Sequence, residues 1–507
     1  MGIDFRRQSC ALCIALLAMV APAARSATPM LGIFDGHGDI GTVLHPGTAV
    51  YNPDDQSYTV SGSGDNMWFG EDDFQFVWRK VSGDVALSAD ITFIGSAGNN
   101  HRKAVLMVRQ SLDGNSKAVD VARHGDGLTS LQFRDATGEN THEVESSVSA
   151  PQRVRIEKRG DFFYAFVSGA DGKLQFSGAS TKLPLTGPFY IGIGVCSHDK
   201  AVIEKAVFTN VKLETLAPTT VKPTLYSTLE TTTVASTDRR VAYVAPAHFE
   251  APNWSKDGSY FLFNQDGKLH RLALNGNEPS VVPTDPQDRC NNDHGISPDG
   301  QSIAISDSSG TTQKSSIYIV PIGGGTPRRI TENSPSYWHG WSPDGQTIAF
   351  TGQRNGDFDI YTIPVMGGQE TRLTTAKGLD DGPEYSPDGQ YIYFNSERTG
   401  QMQIWRMKAD GSDQEQVVSD DTNDWLPHIS PNGKWMVFLS YDKGVTGHPG
   451  GQDVVLHLMS MEDKKVRVLA KLFGGQGTIN VPSWSPDSVK LAFVSYALLP
   501  EDSLTTK

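Results

Sequence analysis

Trp341-Ser342-Pro343-Asp344-Gly345 decides the fold, because it recurs. The other copies are Trp254-Ser255-Lys256-Asp257-Gly258, Ile296-Ser297-Pro298-Asp299-Gly300, Tyr385-Ser386-Pro387-Asp388-Gly389, Ile429-Ser430-Pro431-Asn432-Gly433 and Trp484-Ser485-Pro486-Asp487-Ser488. Their serines stand at 255, 297, 342, 386, 430 and 485, so the unit repeats every 42 to 45 residues until a last step of 55. Such a period holds four short antiparallel strands and is the signature of a β-propeller. Each Asp-Gly turn makes one hairpin. Asn275-Gly276, Gly323-Gly324-Gly325, Gly367-Gly368 and Asp410-Gly411 supply second ones, because these residues tolerate the positive φ of tight turns.

Ring closure is also legible. After the last copy, Lys490 to Tyr496 leaves room for the inner strands of a final blade only. Glu230 to Ala235 and Arg240 to Val244, ahead of the first copy, supply its outer strands and hide the sheet edges. The expectation is a six-bladed propeller over residues 228–507.

Residues 27–214 lack the repeat but carry many alternating runs, among them Phe74 to Arg79, Val85 to Phe93, Ala104 to Arg109, Leu131 to Arg134, Arg153 to Glu157, Phe162 to Val167 and Tyr190 to Gly194. In the first, Phe74, Phe76 and Trp78 point one way, Gln75 and Arg79 the other. Strands with Gly-rich turns and no helical pattern predict a β-sandwich of jelly-roll type, so the whole chain reads as all-β. The Pro- and Thr-rich stretch from Leu216 to Thr224 marks a linker over 215–227.

Residues 1–26 read as a signal peptide: Arg6 and Arg7 precede the apolar run Cys10 to Ala24, and cleavage is expected near Ser26. No other apolar run approaches the roughly 20 residues of a membrane span, so the chain is expected in the periplasm or secreted. The remaining cysteines, Cys196 and Cys290, make no disulfide framework and read as buried apolar side chains. With 38% hydrophobic and 20% charged residues, the chain folds rather than staying disordered. A net charge of −14, more negative still once the leader's arginines are removed, argues against nucleic acid as a partner.

The run Thr347 to Tyr361, followed by Gly367-Gly368 and Arg372-Leu373-Thr374, resembles the blade of TolB-type propellers, and Ser396 to Trp405 matches equally well. The resemblance covers about residues 228–499. It implies a periplasmic protein-binding component, or, from other propellers of this type, a metal-dependent oligogalacturonate lyase or the propeller of a peptidase. The chain carries no Gly-x-Ser-x-Gly nucleophile turn, which argues against a serine peptidase. Phe74 to Asp84 with Leu87 to Ile91 resembles concanavalin A-like sandwiches of the laminin-G type, implying a lectin-like face lined by Gln75, Arg79, Arg102, Arg109, His124, Gln132 and Arg134.

The strand entering each Ser-Pro-Asp-Gly turn lines a propeller's channel. Three residues before each serine stand Pro252, His294, His339, Pro383, Pro427 and Pro482, so two blades replace proline by histidine. Around them lie Asn292, Asp293, Tyr337, Trp338, Asp380, Asp381, Glu384, Asp424, Trp425, His428 and Asn480, with His448 and Gln476 on later loops. Imidazoles with carboxylates suit a divalent metal (manganese, zinc or calcium), with His294, His339 and His428 as ligands. Asp380, Asp381, Glu384 and Asp424 suit general acid and base work on a sugar. Asn292, Asp293, Tyr337, Trp338, Trp425, His448, Gln476 and Asn480 are expected to contact a ligand.

Two functions follow. In the first, the chain binds an envelope protein or a glycan at the channel without turnover. In the second, it is a polysaccharide lyase or glycoside hydrolase with its site at the channel mouth. The long blade resemblance favours binding over the second function, for which only the short run Pro427 to Trp435 resembles a blade strand of oligogalacturonate lyases.

Overall fold

The computed structural model describes residues 1–2, 31–218, 221–276, 278–354 and 356–504. The expected signal peptide therefore falls almost wholly outside the described residues. Each alternating run named above is a strand. Residues 31–215 form two layers. One contains, in order across the sheet, Gly36–Ile40, Phe74–Val81, Phe189–Cys196, Lys103–Arg109, Ala118–His124, Thr129–Arg134 and His142–Glu145. The other runs from Leu174–Lys182 through Val85–Phe93 and Glu204–Thr215 to Thr48–Asn52. Alternate residues of both, such as Leu106, Val121 and Ile193 against Leu87, Ile156 and Phe208, share one buried core.

The opposite face of the first sheet differs from the glycan-binding surface expected of it. Arg109, Gln132 and Arg134 are buried there, with Phe69 and Asp72 folded against the two arginines, while Gln75 is buried on the core side, 2.9 Å from His37. Arg134 grips both oxygens of Asp72 at 2.7 and 3.0 Å and also donates to the carbonyls of Phe69, Ser116 and Glu139. Arg109 donates to the carbonyls of Ser111 and Asp113. These guanidiniums are buried and directed at internal acceptors rather than outward.

Five four-stranded sheets follow. Their first strands are Phe249–Trp254, Cys290–Ile296, Ser336–Trp341, Asp380–Tyr385 and Asn423–Ile429, and each sheet is built of consecutive antiparallel strands. The repeated motif turns the chain at the end of each first strand. The serine hydroxyl donates to the Asp or Asn two residues on, at 2.7 Å in Ser255–Asp257 and 2.8 Å in Ser430–Asn432. The Gly that follows adopts the positive φ the turn demands, +68° at Gly345. In the sixth copy Ser488 takes that conformation at +63°, despite its Cβ.

Where a sixth four-stranded sheet was expected, three strands and one bridge appear. Lys490–Leu499 pairs along its whole length with Thr224–Thr233, Thr224 opposite Leu499 and Thr233 opposite Lys490. Thr224–Thr233 pairs in turn with Arg239–Ala245, and Trp484 touches Leu491 as an isolated bridge. Arg239 and Arg240 then run parallel to Val144 and Glu145, which joins these strands to the first layer as one ten-stranded sheet. Part of the expected linker is thus sheet: the strand begins at Thr224, inside 215–227. The short helix Glu501–Leu504 rests on the N-terminal layers, with Asp502 3.0 Å from Arg159 and Ser503 bonded to Glu157. Cys196 and Cys290 are free and buried. Among the described residues no helix is long and apolar enough to cross a membrane.

Candidate functional site

Every first strand of the five sheets breaks its ladder near the middle. The irregularity lies between Glu250 and Asn253, Cys290 and His294, Trp338 and Gly340, Asp381 and Glu384, and Trp425 and His428. A bulge frees a side chain from strict alternation and re-aims it. Here it turns polar residues toward the ring's interior, where a cavity of about 570 Å3 opens. The residue five before the motif serine lines it in five of the six repeats: Glu250, Asn292, Tyr337, Asp381 and Asn480. Bulge residues Asn291, Asp293, His339 and Leu426 join them, and Phe358, Leu379, Thr351, His448 and Gln476 complete the wall.

Asp381 is the most heavily bonded acid of the group. One of its oxygens is 3.2 Å from His339 Nε2, accepts from the Thr351 hydroxyl at 2.7 Å and accepts from the Gly382 amide at 2.8 Å. The other is 3.7 Å from His448 Nε2. Burial alone would raise its pKa, but His339, His448 and Thr351 outweigh burial and hold the carboxyl well below its usual range. His339 moves the opposite way. Burial would lower it, yet Asp293, Asp381 and Glu384 together raise it. Asp293 is pushed up to about 7, by burial first, then by Asp381 and Glu250, with His339 and Asn291 opposing. Burial also raises Glu250, against His248 and Asn292, and lowers His448.

The expected site residues separate into two sets. Asn292, Asp293, Tyr337, His339, Asp381, His448, Gln476 and Asn480 line the cavity. The others do not. Asp380, beside Asp381, turns the other way and pairs with Arg398 at 2.9 Å. Asp424 accepts from Ser440 and Thr422 at 2.7 and 2.9 Å inside its own sheet, where burial pushes it up to about 7. Trp338 and Trp425 are fully buried packing residues, although the Trp425 ring lies 4.3 Å from that of His448.

The three histidines expected to share a metal do not converge. His294 is wholly buried in ladder register opposite Ile305, and burial lowers it to about 4. His428 has one ring nitrogen 2.5 Å from Glu384 and the other 2.5 Å from the Ile479 carbonyl. Only His339 faces the cavity. Among the described residues no group of three or more His, Cys, Asp or Glu side chains is placed to hold a metal ion.

Glu384 belongs to the far end of the ring instead. There a second cavity of about 270 Å3 is walled by Trp254, Trp341, Tyr385, Trp484 and the motif prolines. Two of its indoles tie neighbouring sheets together: Trp341 donates to the Gly295 carbonyl at 3.1 Å, and Trp484 to that of His428 at 3.0 Å. Sequence reasoning missed Glu250, Asn291, Thr351, Phe358, Leu379 and Leu426. Glu250 was within reach, since it holds the same place before its serine as Asp381.

Successive four-stranded sheets whose first strands enclose a common cavity define a β-propeller. The chain belongs to the TolB-like β-propeller family: the model of the TolB beta propeller domain matches residues 296–496, and an uncharacterized protein of Agrobacterium fabrum is 50% identical over 271 residues, 53% of this chain and 92% of its own. A solved TolB candidate from Agrobacterium tumefaciens shares 51% identity, covering 54% of this chain and 99% of that one with a TM-score of 0.53. The Tol-Pal system protein TolB of Francisella tularensis is 33% identical over 116 residues, 22% of this chain and 27% of its own.

Proposed function

We propose that the chain is an exported binding protein that holds a segment of an envelope protein in the 570 Å3 cavity. The carrying observation is the cavity itself, where polar side chains from successive repeats meet at one register position. A volume of this size suits a peptide segment and far exceeds what a lone ion needs. The Tol-Pal name of the Francisella relative supports a protein partner. In this reading residues 1–26 direct export to the periplasm, residues 27–214 form a concanavalin A-like sandwich, and 228–507 form the propeller. Lys490–Leu499, Thr224–Thr233 and Arg239–Ala245, with Trp484, serve as its sixth blade.

A photo-crosslinking amino acid tests this. Placed at Tyr337 on the cavity wall, it should form an adduct with an envelope protein. At Asp344, on the motif turn at the other end of the ring, it should not. No adduct from position 337, or release of new sugar ends when the purified chain meets polysaccharide, overturns the proposal.

A further inference from the structure

The binding reading leaves open what the partner presents, and the distribution of hydrogen bonds in the cavity answers it. Among the described residues three carboxylates line the wall, Glu250, Asp293 and Asp381, and no lysine or arginine does. Asp381 is taken up by His339, Thr351 and Gly382. Asp293 is not. It is only 6% exposed, one of its oxygens accepts from Asn291 at 2.8 Å, and its other oxygen has no hydrogen-bond partner among the described residues. Glu250 receives a single long contact, 3.4 Å from the Asn292 amide, with His248 4.0 Å away. His339 and His248 are the nearest cationic groups, but neither makes a hydrogen bond to these two carboxylates, and a buried carboxylate left with unused acceptor capacity favours a cation that can donate to it.

Beside these acids the wall is apolar. The rings of Tyr337 and Phe358 sit 6.3 Å apart, next to Leu379 and Leu426. An aliphatic stem lies well on such a surface while its charged head stays with polar groups, and a ring face adds attraction for a nearby cation.

We propose that the partner inserts a lysine or arginine side chain, its stem along Tyr337 and Phe358 and its charged head at Asp293 and Glu250. This rests on the binding reading and narrows it to a basic segment. Proton linkage gives the proposal a sign. The charged or titratable groups facing Asp293 are His339, Asp381, Glu250 and Tyr337, with His248, His448, Glu384 and Tyr496 beyond them. Asp293 is partly protonated near neutrality, so a cation displaces its proton. Rising pH also discharges His339, which makes the cavity more negative. Both effects strengthen cation binding as pH rises and would weaken anion binding.

The test is titration calorimetry with two capped pentapeptides, Ala-Ala-Lys-Ala-Ala and its norleucine counterpart. At about pH 8 the lysine peptide should bind at least about tenfold tighter. Its advantage should shrink at about pH 6, and buffers of different ionisation heat should report proton release. Asp293→Asn should abolish the preference and Asp293→Glu should retain it, both with melting temperatures near that of the parent. Equal affinities, preference for a glutamate peptide, proton uptake on binding or no binding by either peptide overturns the inference. If the crosslink from position 337 persists without lysine preference, only this inference falls. If both fail, the binding reading falls with it.

Discussion

Arg134 and Asp293 are both buried charges, and the contrast between them separates structure from function. Arg134 directs its donors at Asp72 and at backbone carbonyls, so it stabilises a covered sheet face and offers nothing outward. Asp293 keeps one oxygen open at the wall of a cavity. Both are buried ionisable groups of opposite sign. What differs is whether the hydrogen-bonding capacity is used up, and that is the better guide to a site than the presence of a charged residue.

The largest effect should come from the saturated side. Arg134→Ala leaves Asp72 buried without its main partner and should cost about 3–5 kcal/mol, read as a lowered denaturation midpoint, with peptide binding at the cavity retained in the folded fraction. His428→Ala tests an intermediate case, since it removes one of the two partners of Glu384 at the far-end cavity and leaves the Ile429 amide at 3.1 Å. A loss of about 2–3 kcal/mol is expected, and a negligible loss would show that the pair is not structural.

His339→Gln should act through pH. The folded-state pKa of His339 is raised, so its stabilising contribution is complete below the ordinary imidazole value and is lost as pH rises through the raised one. Asp381 is depressed, so its contribution is present above the usual carboxylate range and lost as pH falls through the lower folded value. The variant should therefore be less stable by about 1–2 kcal/mol near neutrality, and the gap should narrow in alkali. A gap that is constant with pH would break the ion-pair account.

Asp293→Asn should act on stability with the opposite sign. A carboxyl raised to about 7 in the fold loses stability as pH climbs from the unfolded value to 7. Removing its charge should add stability at alkaline pH and nothing in acid, measured by denaturant titration. Such a gain at the cost of ligand affinity would sharpen the contrast with Arg134.

The fold was largely legible because a repeat fixes strand spacing and turn chemistry together: Gly258, Gly300, Gly345, Gly389 and Gly433 all adopt the positive φ their motif called for. The site was only half legible, and the bulges are the reason. His294 and His339 hold equivalent places before their serines, yet His294 stays in the ladder and is buried, whereas His339 is the residue skipped in its ladder and faces the cavity. A bulge that slips by one residue leaves no mark in the composition. Likewise Asp380 and Asp381 look equivalent as a pair, but alternation sends one to Arg398 and the other to the cavity. In residues 31–215, Arg109 and Arg134 suggested a sugar surface because nothing in their pattern shows that Phe69 and Asp72 close against them.

The pairing of Lys490–Leu499 with Thr224–Thr233 also sets how the molecule yields to mechanical load. Thr224 lies opposite Leu499, so tension applied between these neighbours peels the two strands apart one rung at a time instead of shearing all rungs at once. Loading at this seam therefore breaks its rungs in sequence, starting from the Thr224–Leu499 end.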